Sequence, residues 1–105
     1  MAAVDYPGAL AAVDRVLNRG GDAADVLRRV LQVLEARGVR FGAIRFAAGG
    51  ELVAGDEPGG ITAPVVFEGT PVAELELAVG DRTFVERLAT LISSEVARRD
   101  ASRSG

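Results

Sequence analysis

Arg45, Glu74 and Glu76 are the charged residues whose types and positions come closest to chemistry. A guanidinium standing above a β-sheet can grip a carboxylate or phosphate through two parallel hydrogen bonds. Two carboxylates on one strand can share acid and base work if the site holds one of them protonated near neutral pH. The plainer reading is a cross-strand ion pair on a solvated face, and for catalysis that reading is preferred. Gly49-Gly50 and Gly59-Gly60 suggest fragments of a phosphate-binding loop. Neither is followed by a helix, and neither has a Lys or a Ser/Thr in the required place, so both are read as turns. Ser93-Ser94 has no His or Lys in the chain to activate a nucleophile. Asp56-Glu57 and Glu51 could attract a hard cation, but their spacing matches no calcium loop.

Composition narrows the choice further. The chain has no Cys and no His. That removes thiolate nucleophiles, thiolate metal sites, disulfides, the commonest metal ligand and the commonest general base. The expectation is a protein that is not an enzyme, with no catalytic residue, no metal and no cofactor. All twelve basic residues are Arg; an arginine-binding role is one reading, but with Ala and Gly abundant as well the plainer one, codon bias in a GC-rich genome, is preferred. A net charge of −3 argues against a nucleic-acid partner. No apolar run approaches the roughly 20 residues of a membrane span. Met1 to Asp5 lack the charged and apolar blocks of an export signal, so the cytoplasm is the expected location. With 105 residues, 49% of them hydrophobic, one globular domain is expected.

The elements follow from periodicity. Residues 1–8 read as a lead-in whose Asp5-Tyr6-Pro7-Gly8 carries helix-start chemistry. Leu10, Val13, Val16 and Leu17 recur at helical spacing until Gly20-Gly21. Asp22 caps a second helix, striped by Ala23, Val26, Leu27, Val30, Leu31 and Leu34 and stopped at Gly38. From Val39 to Phe46 the period becomes two, with Gly42, Ile44 and Phe46 on one face and Phe41, Ala43 and Arg45 on the other. Short strands follow over Glu51 to Ala54 and Ile61 to Phe67, separated by the loop Gly55 to Gly60. Glu68-Gly69 makes a tight turn into a fourth strand, where Ala73, Leu75, Leu77 and Val79 alternate with Val72, Glu74, Glu76 and Ala78. Asp81 caps the last helix, along which Phe84, Val85, Leu88, Leu91, Ile92 and Val96 align, with Arg98 and Arg99 answering its C-terminal dipole. The domain is expected over 9–98 and a frayed tail over 99–105.

The stretch from Pro64 to Leu77 resembles the paired late strands of GAF domains, and Asp81 to Ile92 resembles their closing helix. Asp22-Ala23-Ala24-Asp25-Val26-Leu27 is similar to the family's helix before the first strand. The resemblance covers about Ala9 to Val96 and rests on periodicity and turns. It implies an α+β, GAF-like or profilin-like fold: a four-stranded antiparallel sheet in the order 2-1-4-3, with three helices on one face. The expected core is Leu10, Val13, Leu27, Val30, Leu31, Leu34, Ile44, Phe46, Val66, Leu75, Leu77, Phe84, Leu88, Leu91 and Ile92. The family's pocket-roofing insert is reduced here to the loop around Gly55 to Gly60. The cysteines of its methionine sulfoxide reductase and chromophore-binding branches are missing. Roadblock-type platforms are the second resemblance, and they too differ by a helix between the second and third strands.

Two functions fit. The first is a minimal GAF-like sensor or binding domain of unknown ligand, acting through dimerisation or partner contact. The second is a structural interaction platform with no small-molecule ligand. Both turn on the sheet face without helices. If Glu68-Gly69 is a two-residue turn, Val65 pairs across from Val72 and Phe67 across from Thr70, and Val65, Phe67 and Val72 join Phe41 and Ala43 in an apolar patch. Arg45, Glu74 and Glu76 would rim it. The expected occupant is a second copy of the chain in a two-fold dimer, with a dimer through the first and last helices as the rival.

Overall fold

Three aspartates start the three helices. The computed structural model describes residues 4–104. In it Asp5 accepts a hydrogen bond from the Gly8 amide at 3.2 Å, and Pro7 lies in the first turn of α1 (Tyr6–Arg19). Asp22 accepts from Asp25 N at 3.2 Å at the head of α2 (Ala23–Ala36). Asp81 accepts from Phe84 N at 3.2 Å at the head of α3 (Arg82–Ser104). Each cap satisfies an amide that the helix itself leaves unpaired. α2 ends in a double tie, Gly38 N to Glu35 O at 3.1 Å and Val39 N to Leu34 O at 3.1 Å, with Gly38 at a φ of 103°. That is the Schellman arrangement, and it turns the chain towards the sheet.

The four strands are β1 (Phe41–Phe46), β2 (Glu51–Gly55), β3 (Ile61–Phe67) and β4 (Thr70–Leu77). They form one antiparallel sheet in the order β2-β1-β4-β3, with three helices on one side. This is the expected α+β architecture. α2 lies on β1 and β2, and α3 lies on β3 and β4. α1 packs against α2 and α3, where Tyr6 and Phe84 meet with ring centroids 4.8 Å apart. Between helices and sheet sit Leu27, Leu31, Leu34, Ile44, Leu75, Leu77, Leu88 and Ile92, all buried. Each contributes roughly 1.5–3 kcal/mol by leaving water. Leu10 and Leu91, expected in this core, are half-buried at its margin.

The boundaries differ from the periodicity in three places. α1 begins at Tyr6, because the Asp5 cap and Pro7 start it earlier than the first apolar residue of the stripe. β1 begins at Phe41, two residues after Val39, since Val39 still belongs to the turn that closes α2. α3 runs on to Ser104 where a tail was expected; Gly105 lies outside the described residues. Arg99 explains part of that extension. Its guanidinium stacks 3.6 Å over the Phe46 ring, and its Nη2 donates to Gly49 O at 3.4 Å. The residue assigned to the helix dipole therefore fastens the end of α3 to the β1–β2 turn.

The largest departure is in the β3–β4 hairpin. The two-residue turn forms as expected, Phe67 opposite Thr70, with Glu68 and Gly69 at φ of 51° and 81°. Both positive values give the primed turn that matches strand twist. Beyond Val66–Pro71 the ladder slips, and Val65 pairs with Ala73 in place of Val72. Val72 is the extra residue of a β-bulge beside Pro71, which has no amide to give the ladder. Its carbonyl accepts from Ala47 N at 3.0 Å. One extra residue exchanges the faces of everything before it in β3. Val65 is therefore fully buried under the helices, while Val66, expected in the core, is 44% exposed.

Candidate functional site

The sheet face away from the helices is defined by the other parity: Phe41, Ala43 and Arg45 on β1, Val53 on β2, Glu74 and Glu76 on β4, and Val66 on β3. Phe41 and Ala43 are buried, at 3% and 0% exposure, yet they do not belong to the core under the helices. Ala43 stands between Val53 and the buried Glu76 on the neighbouring strands, and Phe41 lies at the end of the sheet where the β2–β3 connection passes. β2 and β3 are opposite edges of the sheet, so the link between them must cross β1 and β4. Three strand spacings are about 14 Å, and six peptide steps reach about 20 Å when extended. The loop between Gly55 and Ile61 therefore has little slack and must run close to the sheet.

Two glycines let it do so. At Gly55, with a φ of 95°, a Cβ would meet Arg40 O at 2.1 Å. At Gly60, with a φ of 129°, it would meet Leu77 O at 2.1 Å. Neither position has room for a side chain, and both require backbone that L-residues avoid. Polar ties then hold the loop. Glu76 Oε2 accepts from Gly59 N at 2.7 Å, and Glu57 stands 3.6 Å from Arg40.

Glu76 also organises the charges. Its Oε1 accepts from Arg45 Nη2 at 2.6 Å. Arg45 lies directly across from Glu51 on one side and Glu74 on the other, with both carboxylates 3.6 Å away. The hydrogen bond to Glu76, with the attraction of Glu76, Glu51 and Glu74, holds the Arg45 guanidinium above its ordinary pKa against the opposing cost of burial. Glu76 is the buried charged residue of the described chain, at 8% exposure, and both of its oxygens are engaged. One guanidinium is shared among three carboxylates, so the arrangement positions Glu76 and leaves no guanidinium free for a ligand. Among the described residues no group of three His, Cys, Asp or Glu is placed to hold a metal ion. No buried side-chain nitrogen or oxygen among them lacks a partner either.

The expected site residues are thus divided. Arg45, Glu74 and Glu76 do come together on the open face. Phe41 is on that face but buried. Val65 is on the opposite side, in the core, because of the bulge. Val72, the bulged residue, is half-buried against the core, and Phe67 is half-buried at the turn end of the hairpin. The continuous apolar patch expected from regular pairing does not form. The large hydrophobic residues left exposed are Val53, at 50%, and Val66, on opposite edges of the sheet. A recess of about 700 Å³ lies at the end of the loop, lined by Tyr6, Arg40, Pro58, Gly59, Gly60 and Val79 among others.

A feature outside the expected set stands on the helical side. The α1–α2 pair encloses a groove of about 360 Å³, lined by Arg15, Arg19, Arg29 and Arg37 and by no carboxylate. In the sequence its signal was the i, i+4 pair Arg15 and Arg19, but which helices would face each other was not legible there. No helix among the described residues is long and apolar enough to cross a membrane. Compared with protein-family models, with curated proteins and with solved structures, the chain matches none.

Proposed function

We propose that this chain is a non-catalytic interaction platform on a GAF-like scaffold. It acts by contact with other protein chains, a second copy among them, and not by holding a small molecule over its sheet. The observation that carries this reading is the β2–β3 loop. The chain's own loop spans the end of the face that would floor a ligand pocket, and Glu76, bonded to both Gly59 and Arg45, ties it to that face. Ligand pockets need concave apolar volume with a few free polar groups. Here the apolar residues Phe41 and Ala43 are already covered and the polar ones already paired. The absence of His and Cys supports a role without catalysis.

The sensor reading has one observation in its favour, the recess beside Tyr6 and Gly59. Native mass spectrometry of the purified chain separates the two. The platform reading expects the mass of the polypeptide or its oligomers alone, and no thermal shift with nucleotides or other common metabolites. A stoichiometric small molecule that survives purification and raises the melting temperature would replace the platform with the sensor.

A further inference from the structure

Charge is unevenly divided along this chain. Residues 46–81 contain seven carboxylates and no Arg, while the remainder holds all twelve Arg and eight carboxylates. The fold turns that division into geometry, with acid on the β2 to β4 region and base on the helices. The groove between α1 and α2 gathers four of the arginines. Ala12 and Val16 from α1 and Val33 and Ala36 from α2 form its apolar lining. Ala12 and Ala36 are small, which leaves open the space that longer side chains would fill. Arg15 and Arg19 rise from α1, and Arg29 and Arg37 from α2.

Two of the four are partly held: Arg29 Nη2 donates to Gly20 O at 3.3 Å, and Arg37 faces Asp5 at 3.8 Å. Arg15 and Arg19 are exposed, and neither has an ion pair or a side-chain hydrogen bond among the described residues. Arginine forks are suited to carboxylates, which they can take two hydrogen bonds at a time. In a chain of net charge −3, a groove whose charged lining residues are all arginines is a local inversion of the global sign.

We infer that this groove docks an acidic amphipathic segment of a partner protein, with apolar side chains seated on Val16 and Val33 and carboxylates paired to Arg15 and Arg19. The inference rests on the platform reading and adds to it the surface and the chemistry of the partner. From Ala12 to Arg19 the lining runs for about two helical turns, or about 10 Å, enough to seat a short helix by its i, i+3 or i+4 side chains. A second copy docked symmetrically would set Arg15 and Arg19 against their own equivalents, a like-charge contact. The chain's own acidic face is an unsuitable occupant too, because Arg45 already engages its central carboxylates. A lipid surface would attract the arginines but is flat, and it would leave the recessed valines unfilled.

The test is a selection of random 16-residue peptides displayed against the whole chain. Binding of synthetic copies is then measured by fluorescence anisotropy, and the site is mapped by amide chemical shifts. The expected peptides are rich in Asp and Glu with apolar residues at helical spacing, and they perturb amides of α1 and α2. Arg15→Glu with Arg19→Glu should weaken them at least about tenfold while leaving the circular dichroism spectrum unchanged. Arg15→Lys with Arg19→Lys should retain part of the affinity. Enriched peptides without acidic bias, shifts mapped elsewhere, binding indifferent to the double Glu variant, or no enrichment over that variant would each overturn the inference. So would wild-type binding to phosphatidylserine vesicles with no peptide selected, or self-association through the groove. A co-purifying metabolite, by contrast, would defeat the platform reading without regard to the peptides.

Discussion

The two faces of the sheet are built from alternate residues of the same strands, and they are closed in different ways. The helix side is closed by α2 and α3 through Ile44, Val65, Leu75 and Leu77, an apolar contact that any correctly paired amphipathic helix can make. The other side, where Phe41 and Ala43 are buried, carries the loop between Gly55 and Ile61 at its end, held by a carboxylate, a guanidinium and two glycines in unusual backbone. Hydrophobic packing is non-directional and tolerates adjustment. A polar tie is directional, and leaving half of it buried costs free energy. The first face should therefore carry the global stability of the domain, and the second should open locally at smaller cost.

Substitution of Leu75 by Asp tests the stronger face. Leu75 is fully buried at the centre of β4, and the change would strand a carboxylate among apolar side chains. The expected loss, more than about 4 kcal/mol, is comparable to the whole stability of many small domains. A variant that melts within a few degrees of the parent would show that the helix side is not the principal core.

Val65 and Val66 make a sharper comparison, since they are neighbours on opposite faces. Val65→Asp should destabilise by several kcal/mol, while Val66→Asp should stay within about 0.5 kcal/mol. Urea denaturation of the pair reads the bulge directly. The reverse ranking would mean that β3 pairs with β4 without the extra residue at Val72.

On the weaker face, Glu76→Gln removes the charge that holds Arg45 and the Gly59 amide. A loss of about 1–3 kcal/mol is expected for a hydrogen bond to a charged group. Exchange of the Gly59 amide with solvent should quicken by more than any amide of β4. Glu74→Gln breaks only an exposed pair at 3.6 Å and should cost no more than a few tenths of a kcal/mol. Equal effects from the two would show that the loop is held by something other than Glu76.

The smallest effect is expected at the end of α3. Removing residues 101–105 should change stability by no more than a few tenths of a kcal/mol, because Ala101 and Ser102 are exposed. Arg99→Ala should cost more, about 0.5–1 kcal/mol, through the lost stacking on Phe46. A truncation as costly as Arg99→Ala would place part of the helix's anchorage beyond Asp100.

Much of this molecule was legible in its sequence. Three aspartates mark the helix starts, Gly38 marks a stop, Glu68-Gly69 marks a hairpin turn, and the alternation of Leu75 and Leu77 with Glu74 and Glu76 marks the two faces of β4. These features are local, set by backbone dihedrals and by periods of 3.6 and 2, so a short window of residues contains the whole cause. The strand order came from family resemblance, and the structure has the same order. The rest needed residues distant in sequence to meet. Val65 and Val66 are chemically identical, and only the slip opposite Val72 decides which enters the core. Glu76 and Gly59 are joined because the loop has to cross the sheet, and Arg99 meets Phe46 because α3 lies along it. The arginine groove exists only once α1 has packed on α2. A sequence states which residues alternate; register and packing decide which of them face each other, because both depend on contacts between segments that no local window contains.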